Sequence, residues 1–111
     1  PTSAGEQLRD FCYVDDSVQA ILQALTHPEF KGDVFNVASG IPVSIREMVE
    51  KVRNITGSGN PQFGEVSYRN GENMSLYANI SKAKSILNWQ PTTNLDKGLK
   101  KSIEWFANDN D

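Results

Sequence analysis

The sequence predicts a mixed α and β unit with four amphipathic helices and three or four short strands, which by itself favours the α+β class. Apolar residues recur at helical spacing in four segments, and short runs rich in β-branched and aromatic residues lie between them. These runs do not form a regular alternating series, and no phosphate-binding loop follows any of them. With 111 residues, the chain is long enough for one domain with a modest core.

The composition is that of an ordinary soluble globular protein, with 38% hydrophobic and 23% charged residues. The net charge of −3 gives no reason to expect nucleic acid or an anionic membrane as a partner. No apolar run approaches the roughly 20 residues that cross a bilayer, and residues 1–5 lack the features of a signal peptide. The single cysteine, Cys12, cannot form an internal disulfide, so we expect a reduced, cytoplasmic setting.

The first predicted element is a short strand over residues 8–14, in which Cys12 is a strand residue rather than a nucleophile. Asp15 or Asp16 is expected to cap the following helix, because a carboxylate accepts the free amide hydrogens of a first helical turn. Pro28 is expected to end this helix. Its apolar face comprises Val18, Ile21, Leu22 and Leu25.

Residues 34–37 form the second predicted strand, and residues 40–42 mark the loop after it. Ser44 and Glu47 have the spacing of a capping box, which predicts the start of the second helix. Gly57 predicts the end of that helix. Its inward side comprises Met48, Val49, Val52 and Ile55.

Two short extended segments are predicted in the middle of the chain, at residues 62–68 and 75–78. An Asn70-Gly71 pair separates them and indicates a turn.

Two helices complete the predicted fold. Asn79 or Ser81 is expected to cap the third helix. Asn88 can take the left-handed conformation that ends a helix, and Pro91 disfavours helix in the residue before it. Asn94 is expected to cap the last helix. The inward residues are Ala83, Ile86 and Leu87 in the third helix, and Leu95, Leu99, Ile103 and Phe106 in the fourth.

Four stretches carry recognisable patterns: RDFCYVDD at residues 9–16, FNVASG at 35–40, YRNGE at 68–72 and SKAKSILNWQP at 81–91. In this order they resemble motifs from the carboxyl-terminal part of the NAD-dependent epimerase/dehydratase family. These are the extended short-chain dehydrogenases that rebuild nucleotide sugars. The resemblance covers nearly the whole chain from Gly5 onward.

This resemblance implies the substrate-binding portion of a Rossmann-type fold, between the α/β and α+β classes, whose amino-terminal dinucleotide-binding domain lies outside the sequence. Residues 34–37 would belong to the edge of the parent nucleotide-binding sheet. The division implied is a disordered or cut end at 1–6, a substrate-side fragment at 7–107 and a frayed tail at 108–111. If this chain folds alone, it should expose an apolar patch or form an oligomer that covers one.

The resemblance also implies that NAD or NADP binds the parent protein, possibly a homodimer, but not this chain alone. Glycines 57, 59 and 64 follow a helix instead of opening one, so they do not match a dinucleotide-binding loop. No tyrosine has a lysine four residues later, and the only histidine, His27, is expected at a helix end. We therefore expect no catalytic residue, no metal site and no activity from the chain alone.

The candidate substrate-binding residues are Arg9, Arg69 and Glu72. A guanidinium matches phosphate oxygens with a planar fork, and two of them can bracket a diphosphate. The resemblance implies that both arginines contact the diphosphate of a nucleotide sugar and that Glu72 receives ribose hydroxyls, where many family members have Asp. The alternatives are a surface ion pair between Arg9 and Asp10, and a solvated Arg69.

Three functions remain open from the sequence. The first is part of a nucleotide-sugar epimerase, dehydratase or reductase, with a dTDP-glucose dehydratase disfavoured because those enzymes often have His where Asp16 stands. The second is a non-catalytic binding or sensor module with a degenerate dehydrogenase fold. The third is a small standalone α+β interaction domain whose motif matches are accidental.

Overall fold

The computed structural model describes residues 1–27 and 32–109. Within them, the elements are β1 (Leu8–Asp10), α1 (Val14–Thr26), β2 (Pro42–Ser44), α2 (Ile45–Thr56), α3 (Ser81–Leu87) and α4 (Leu95–Asp109). The four predicted helices are confirmed, whereas these residues contain two strands instead of three or four. The predicted helix stop at Pro28 lies outside the described residues.

The short strand β1 is hydrogen-bonded along both of its edges. On one side it pairs antiparallel with β2. On the other side, Leu8 donates its amide to the Met74 carbonyl at 2.8 Å and accepts the Leu76 amide at 3.0 Å. β2 begins where the sequence predicted a loop over residues 40–42. The open edge of β1 explains this correction, because extended backbone beside it can satisfy its polar groups by pairing.

Several predicted strands are absent or shorter than expected. Residues 34–37 and 62–68 form no strand, only Ser75 of segment 75–78 forms a bridge, and β1 already ends at Asp10. Strand propensity reports how well a side chain fits a pleated surface, so it requires a neighbouring strand. In the described part of the chain, residues 34–37 have no such neighbour.

The ends of three helices follow the sequence closely. Ser44 caps α2, because its hydroxyl accepts the Glu47 amide at 3.1 Å, and Gly57 ends α2 with a left-handed φ of 69°. Asn88 ends α3 in the same region with φ of 55°. Asn94 caps α4, since its Oδ1 accepts an amide of the first turn at 2.8 Å. These local interactions confirm the predicted boundaries.

The start of α3 differs slightly from the prediction. Ile80 occupies the capping position without a side-chain capping bond, while Asn79 Oδ1 accepts the Ser81 amide at 2.9 Å. Asn79 therefore supports the entry to the helix from one residue further out. Ile86, which we predicted to face inward, is exposed.

We predicted that Asp15 or Asp16 caps α1, and this is wrong. Tyr13 occupies the capping position and makes no side-chain capping bond. Asp16 is 5% exposed, and its carboxylate points across the fold. Its Oδ1 accepts the Thr92 amide and hydroxyl at 3.1 and 3.0 Å, and its Oδ2 accepts the Thr93 amide at 3.0 Å. Asp16 thus fixes α1 to the segment that leads into α4.

The fully buried core is small and lies between α1 and α3. It consists of Ala20, Ile80, Ala83, Leu87 and Trp89. The Trp89 indole donates to the Asp16 carbonyl at 3.0 Å, so this large side chain is buried with its polar atom satisfied. α2 contributes no fully buried residue, and Phe106 of α4, predicted to face inward, is exposed.

The apolar face predicted for α1 is exposed in this chain. Its predicted members are between 47% and 75% exposed: Val18, Ile21, Leu22 and Leu25. Val14, at the start of the same helix, is also exposed. Val34 and Ile41 are also exposed large apolar residues. An amphipathic helix normally turns such a face toward a core. The described residues therefore leave the apolar face of α1 exposed.

The amino-terminal end of the described chain is hydrogen-bonded to residues 62 and 66. Thr2 donates its amide to the Gln62 carbonyl at 2.9 Å and accepts the Val66 amide at 2.9 Å. Residues 1–6 have no regular secondary structure, yet these bonds give them defined partners. At the other end, α4 includes residues 108 and 109 of the predicted tail.

We expect Asp16→Asn to lower the free energy of unfolding by about 1.5–3 kcal/mol, because a charged acceptor of buried hydrogen bonds is lost. Urea unfolding of both proteins would measure the difference. Asp15→Asn is the matched control, since Asp15 is its exposed neighbour on the same helical turn; it should change the stability by less than about 0.5 kcal/mol. Equal effects of the two substitutions would contradict the assigned role of Asp16.

Candidate functional site

The three candidate residues meet in one cleft. β1 presents Arg9, while the predicted turn presents Arg69 and Glu72, whose backbone is closed by a 3.1 Å bond from the Glu72 amide to the Arg69 carbonyl. The cleft has a volume of about 360 Å³. The other residues that line it are Asn70, Gly71, Asn73 and Leu76. Residues that are 60 or more positions apart in sequence are thus neighbours here.

The Glu72 carboxylate bridges the two guanidinium groups. Its Oε1 accepts from Arg9 Nη2 at 2.9 Å, and its Oε2 accepts from Arg69 Nε at 3.1 Å. Arg9 also donates from Nη1 to the Leu8 carbonyl at 2.8 Å. The Glu72 side chain is 10% exposed and that of Arg9 is 22% exposed, whereas that of Arg69 is 88% exposed. Within this cluster, Glu72 and Arg9 are therefore largely shielded from solvent, whereas the Arg69 side chain is exposed.

The sequence left two alternatives open: a surface ion pair between Arg9 and Asp10, and a solvated Arg69. Arg9 is paired with Glu72 across the fold rather than with the adjacent Asp10. Arg69 is exposed, but it is held by Glu72 three residues further along the chain. Two guanidinium groups and one carboxylate leave a net positive charge of one in the cleft, which suits an anionic ligand.

Asp10 is a structural residue that the sequence reasoning did not identify. Its Oδ1 accepts the Ser39 amide at 2.7 Å and the Ser39 hydroxyl at 2.6 Å. Its Oδ2 accepts the Gly40 amide at 2.9 Å and the Ala78 amide at 3.3 Å. The signal in the sequence was a carboxylate inside the strand predicted over residues 8–14, but its partners are 29 or more residues away. Asp10 fixes the strand that carries Arg9.

Asp10, which is half-buried, and Asp16, which is buried, are both held in their charged form. Burial raises the pKa of Asp10, but the hydrogen bonds from Ser39, Gly40 and Ala78 outweigh it, and the pKa lies below the usual range. Burial likewise raises the pKa of Asp16, and the bonds from the 92–93 segment outweigh it there too, so that its pKa is also lowered. These are properties of structural carboxylates rather than of proton donors near neutral pH.

A larger cavity, of about 790 Å³, lies elsewhere. It is lined mainly by segments 39–41 and 77–81 together with Lys84, Gln90 and Pro91. None of the three candidate residues belongs to it. Its volume alone does not indicate chemistry, so the smaller cleft with convergent charged groups remains the candidate site.

The turn from β1 into α1 runs through Phe11, Cys12 and Tyr13 and contains no glycine-rich sequence. Among the described residues, no group of three or more His, Cys, Asp or Glu side chains is placed to hold a metal ion. No helix in residues 1–27 and 32–109 combines the length and the apolar character that crossing a membrane requires.

Comparisons with known proteins agree on one group. The family model described as GDP-mannose 4,6 dehydratase matches residues 2–102. The UDP-glucose 4-epimerase of Mycolicibacterium smegmatis is 32% identical over 105 residues, which are 94% of this chain and 33% of that protein. The chain spans about a third of the length of the curated relatives that it matches, and it corresponds to their carboxyl-terminal part.

Solved structures show the same correspondence. UDP-glucose 4-epimerase from Thermotoga maritima, solved with UDP-glucose, superposes with a TM-score of 0.84 at 31% identity, covering 96% of this chain and 34% of that one. UDP-glucuronic acid 4-epimerase from Bacillus cereus, in complex with UDP-glucuronic acid and NAD, gives 0.83 at 29% identity, with 96% and 35% covered. The hydrogen-bonded aspartates Asp10 and Asp16 and the arginine cleft therefore lie on a fold shared with these proteins.

We expect the stability of the protein to fall in acid because of Asp10 and Asp16. A carboxyl group whose pKa is lowered by folding stabilises the protein fully above the unfolded pKa of about 3.9. That contribution is lost as the pH falls through the lower pKa of the folded protein. Urea unfolding between about pH 7 and pH 2.5 would measure it. In Asp10→Asn and Asp16→Asn, the fall should be less steep than in the wild type; parallel curves would contradict the prediction.

Proposed function

Since the chain belongs to the NAD-dependent epimerase/dehydratase family of extended short-chain dehydrogenases, we propose that it is the substrate-side part of a nucleotide-sugar epimerase. The parent protein would bind NAD or NADP and a nucleoside diphosphate sugar, and its catalytic groups would lie outside this sequence. The proposal includes a cytoplasmic location, which a single free cysteine favours.

One observation carries this proposal: two guanidinium groups converge on a cleft beside a carboxylate that holds both of them. Paired guanidinium groups match the several oxygens of a diphosphate better than point charges do. We propose that Arg9, Arg69 and Glu72 form the part of the substrate site that receives the diphosphate. The nearly buried Glu72 carboxylate holds the two guanidinium groups in place, and the exposed Arg69 side chain is accessible to an incoming ligand.

Relatives support the choice of substrate class. The Thermotoga protein was solved with UDP-glucose and the Bacillus protein with UDP-glucuronic acid and NAD. In an epimerisation, the bound dinucleotide supplies the hydride chemistry at a sugar carbon. The role of this chain would be to hold the diphosphate, and thereby the sugar, in one orientation. Binding energy from such a remote group can position the reacting carbon.

The apolar face of α1 supports the proposal that a further domain completes the protein. The face combines Leu25, 75% exposed, with four other large apolar residues of the same helix. Patches of this kind mark interfaces in soluble proteins. We propose that the amino-terminal dinucleotide-binding domain covers this face, and that the parent protein forms a homodimer through surfaces outside this chain.

We expect Arg9→Ala and Arg69→Ala each to weaken UDP binding to the full-length protein by roughly 10- to 100-fold, as expected for one charge-assisted contact. Isothermal titration calorimetry would measure the affinity. Arg53→Ala is the control, because Arg53 is exposed on α2 and lies outside the cleft; its affinity should match the wild type. Unchanged affinity in both cleft variants would reject the diphosphate assignment.

We expect Leu25→Ser to lower the melting temperature of the full-length protein by several degrees, although this residue is exposed in the present chain. The reason is that the proposed domain contact would bury it. Gln19→Ser, at an exposed polar position of the same helix, is the control and should have little effect. Equal, small effects of both substitutions would mean that the α1 face is not covered in the full-length protein.

A further inference from the structure

We propose that Tyr68 is a positioning residue for Arg69, and that its hydroxyl fixes the place from which the Arg69 guanidinium reaches the diphosphate. The proposed function of the cleft is the premise, and the role assigned to Tyr68 is separate from it. Tyr68 directly precedes Arg69, is half-buried, and does not itself line the cleft. Its effect on a ligand would therefore pass through its neighbour.

The Tyr68 hydroxyl joins two segments that are distant in sequence. It accepts the backbone amide of Glu6, 62 residues earlier in the chain, at 2.9 Å. Glu6 lies shortly before β1, the strand that carries Arg9. This hydrogen bond thus links the residue next to one arginine of the cleft with the segment that leads to the other.

The turn that carries Arg69 has little packing of its own. Residues 69–71 are all exposed, and the Arg69 side chain is 88% exposed. A Cβ atom added at Gly71 would meet nothing within 4 Å among the described residues. Since no core holds such a turn in place, the hydrogen bonds at its two ends determine where its backbone lies.

Both ends of the turn are hydrogen-bonded to the amino-terminal part of the chain. Beyond the turn, Leu8 donates its amide to the Met74 carbonyl at 2.8 Å. Before the turn, the Val66 amide donates to a carbonyl of the amino-terminal segment at 2.9 Å, and the bond to Tyr68 follows. Tyr68 is the member of this set that is adjacent to Arg69, so loss of its hydroxyl would release the entry to the turn.

The bond between Arg69 and Glu72 does not replace this function. It joins Nε of Arg69 to the carboxylate at 3.1 Å, through a long side chain that can keep the bond from more than one backbone position. Among the described residues, the Nη groups of Arg69 donate to no protein atom, so they remain for phosphate oxygens. Their direction depends on the backbone at residue 69, and a fixed backbone lowers the ordering cost of binding.

The test is UDP binding to the full-length protein, measured by isothermal titration calorimetry. In Tyr68→Phe, which removes only the hydroxyl, we expect the affinity to fall by about three- to tenfold. Tyr13→Phe is the matched control, because Tyr13 lies against Gly98 of α4 and outside the cleft; its affinity should match the wild type. An unchanged affinity in Tyr68→Phe would overturn the inference.

Two double-mutant cycles separate positioning from a general structural effect. If Tyr68 acts through Arg69, Tyr68→Phe should change the UDP affinity by less than about twofold once Arg69→Ala is present. In the Arg9→Ala background it should keep its full effect. Equal effects in the two backgrounds would mean a structural role alone and would overturn the inference.

The single arginine variants distinguish the two proposals. If Arg9→Ala and Arg69→Ala weaken UDP binding while Tyr68→Phe acts equally in both backgrounds, the role of Tyr68 is rejected and the diphosphate assignment stands. If neither arginine variant weakens UDP binding, the diphosphate assignment is rejected, and the role of Tyr68 is rejected with it.

Discussion

The carboxylate of Asp10 is the interaction on which the arrangement of this protein most depends. It gathers the Ser39 and Gly40 amides, the Ser39 hydroxyl and the Ala78 amide around the end of β1. A three-residue strand has few ladder bonds of its own, so its direction must come from such contacts. Because Arg9 immediately precedes Asp10, the clamp that fixes the strand also fixes the base of the arginine cleft.

Hydrogen-bonded carboxylates are important for holding the elements together because the fully buried apolar core is small. Asp16 joins α1 to the start of α4, Trp89 is anchored to its carbonyl, and Glu72 joins β1 to the turn. Each of these carboxylates has its charge satisfied by several donors, which is the condition under which a shielded charge is tolerated. The apolar face of α1, in contrast, contributes little while it is exposed, and becomes stabilising only when another surface covers it.

Helix ends that depend on local interactions were predictable from the sequence, whereas pairing between residues distant in sequence was not. The ends at Ser44, Gly57, Asn88 and Asn94 depend on bonds or torsions within a few residues, so sequence patterns located them. The predicted aspartate cap of α1 was wrong because threonines distant in sequence donate the hydrogen bonds that the Asp16 carboxylate accepts. Likewise, residues 34–37 have the composition of a strand, but the sheet in the described residues contains only β1 and β2 and does not include them.

The sequence by itself determined the four helices, the family, and the three charged residues that now line one cleft. It could do so because helical periodicity, caps and ordered motifs are properties of neighbouring residues. Only the tertiary structure decided that Arg9 pairs with Glu72 instead of Asp10, that the carboxylates of Asp10 and Asp16 accept hydrogen bonds from distant segments, and that the described residues leave the α1 face exposed. Those outcomes depend on which distant donors and surfaces reach a side chain once the chain has folded.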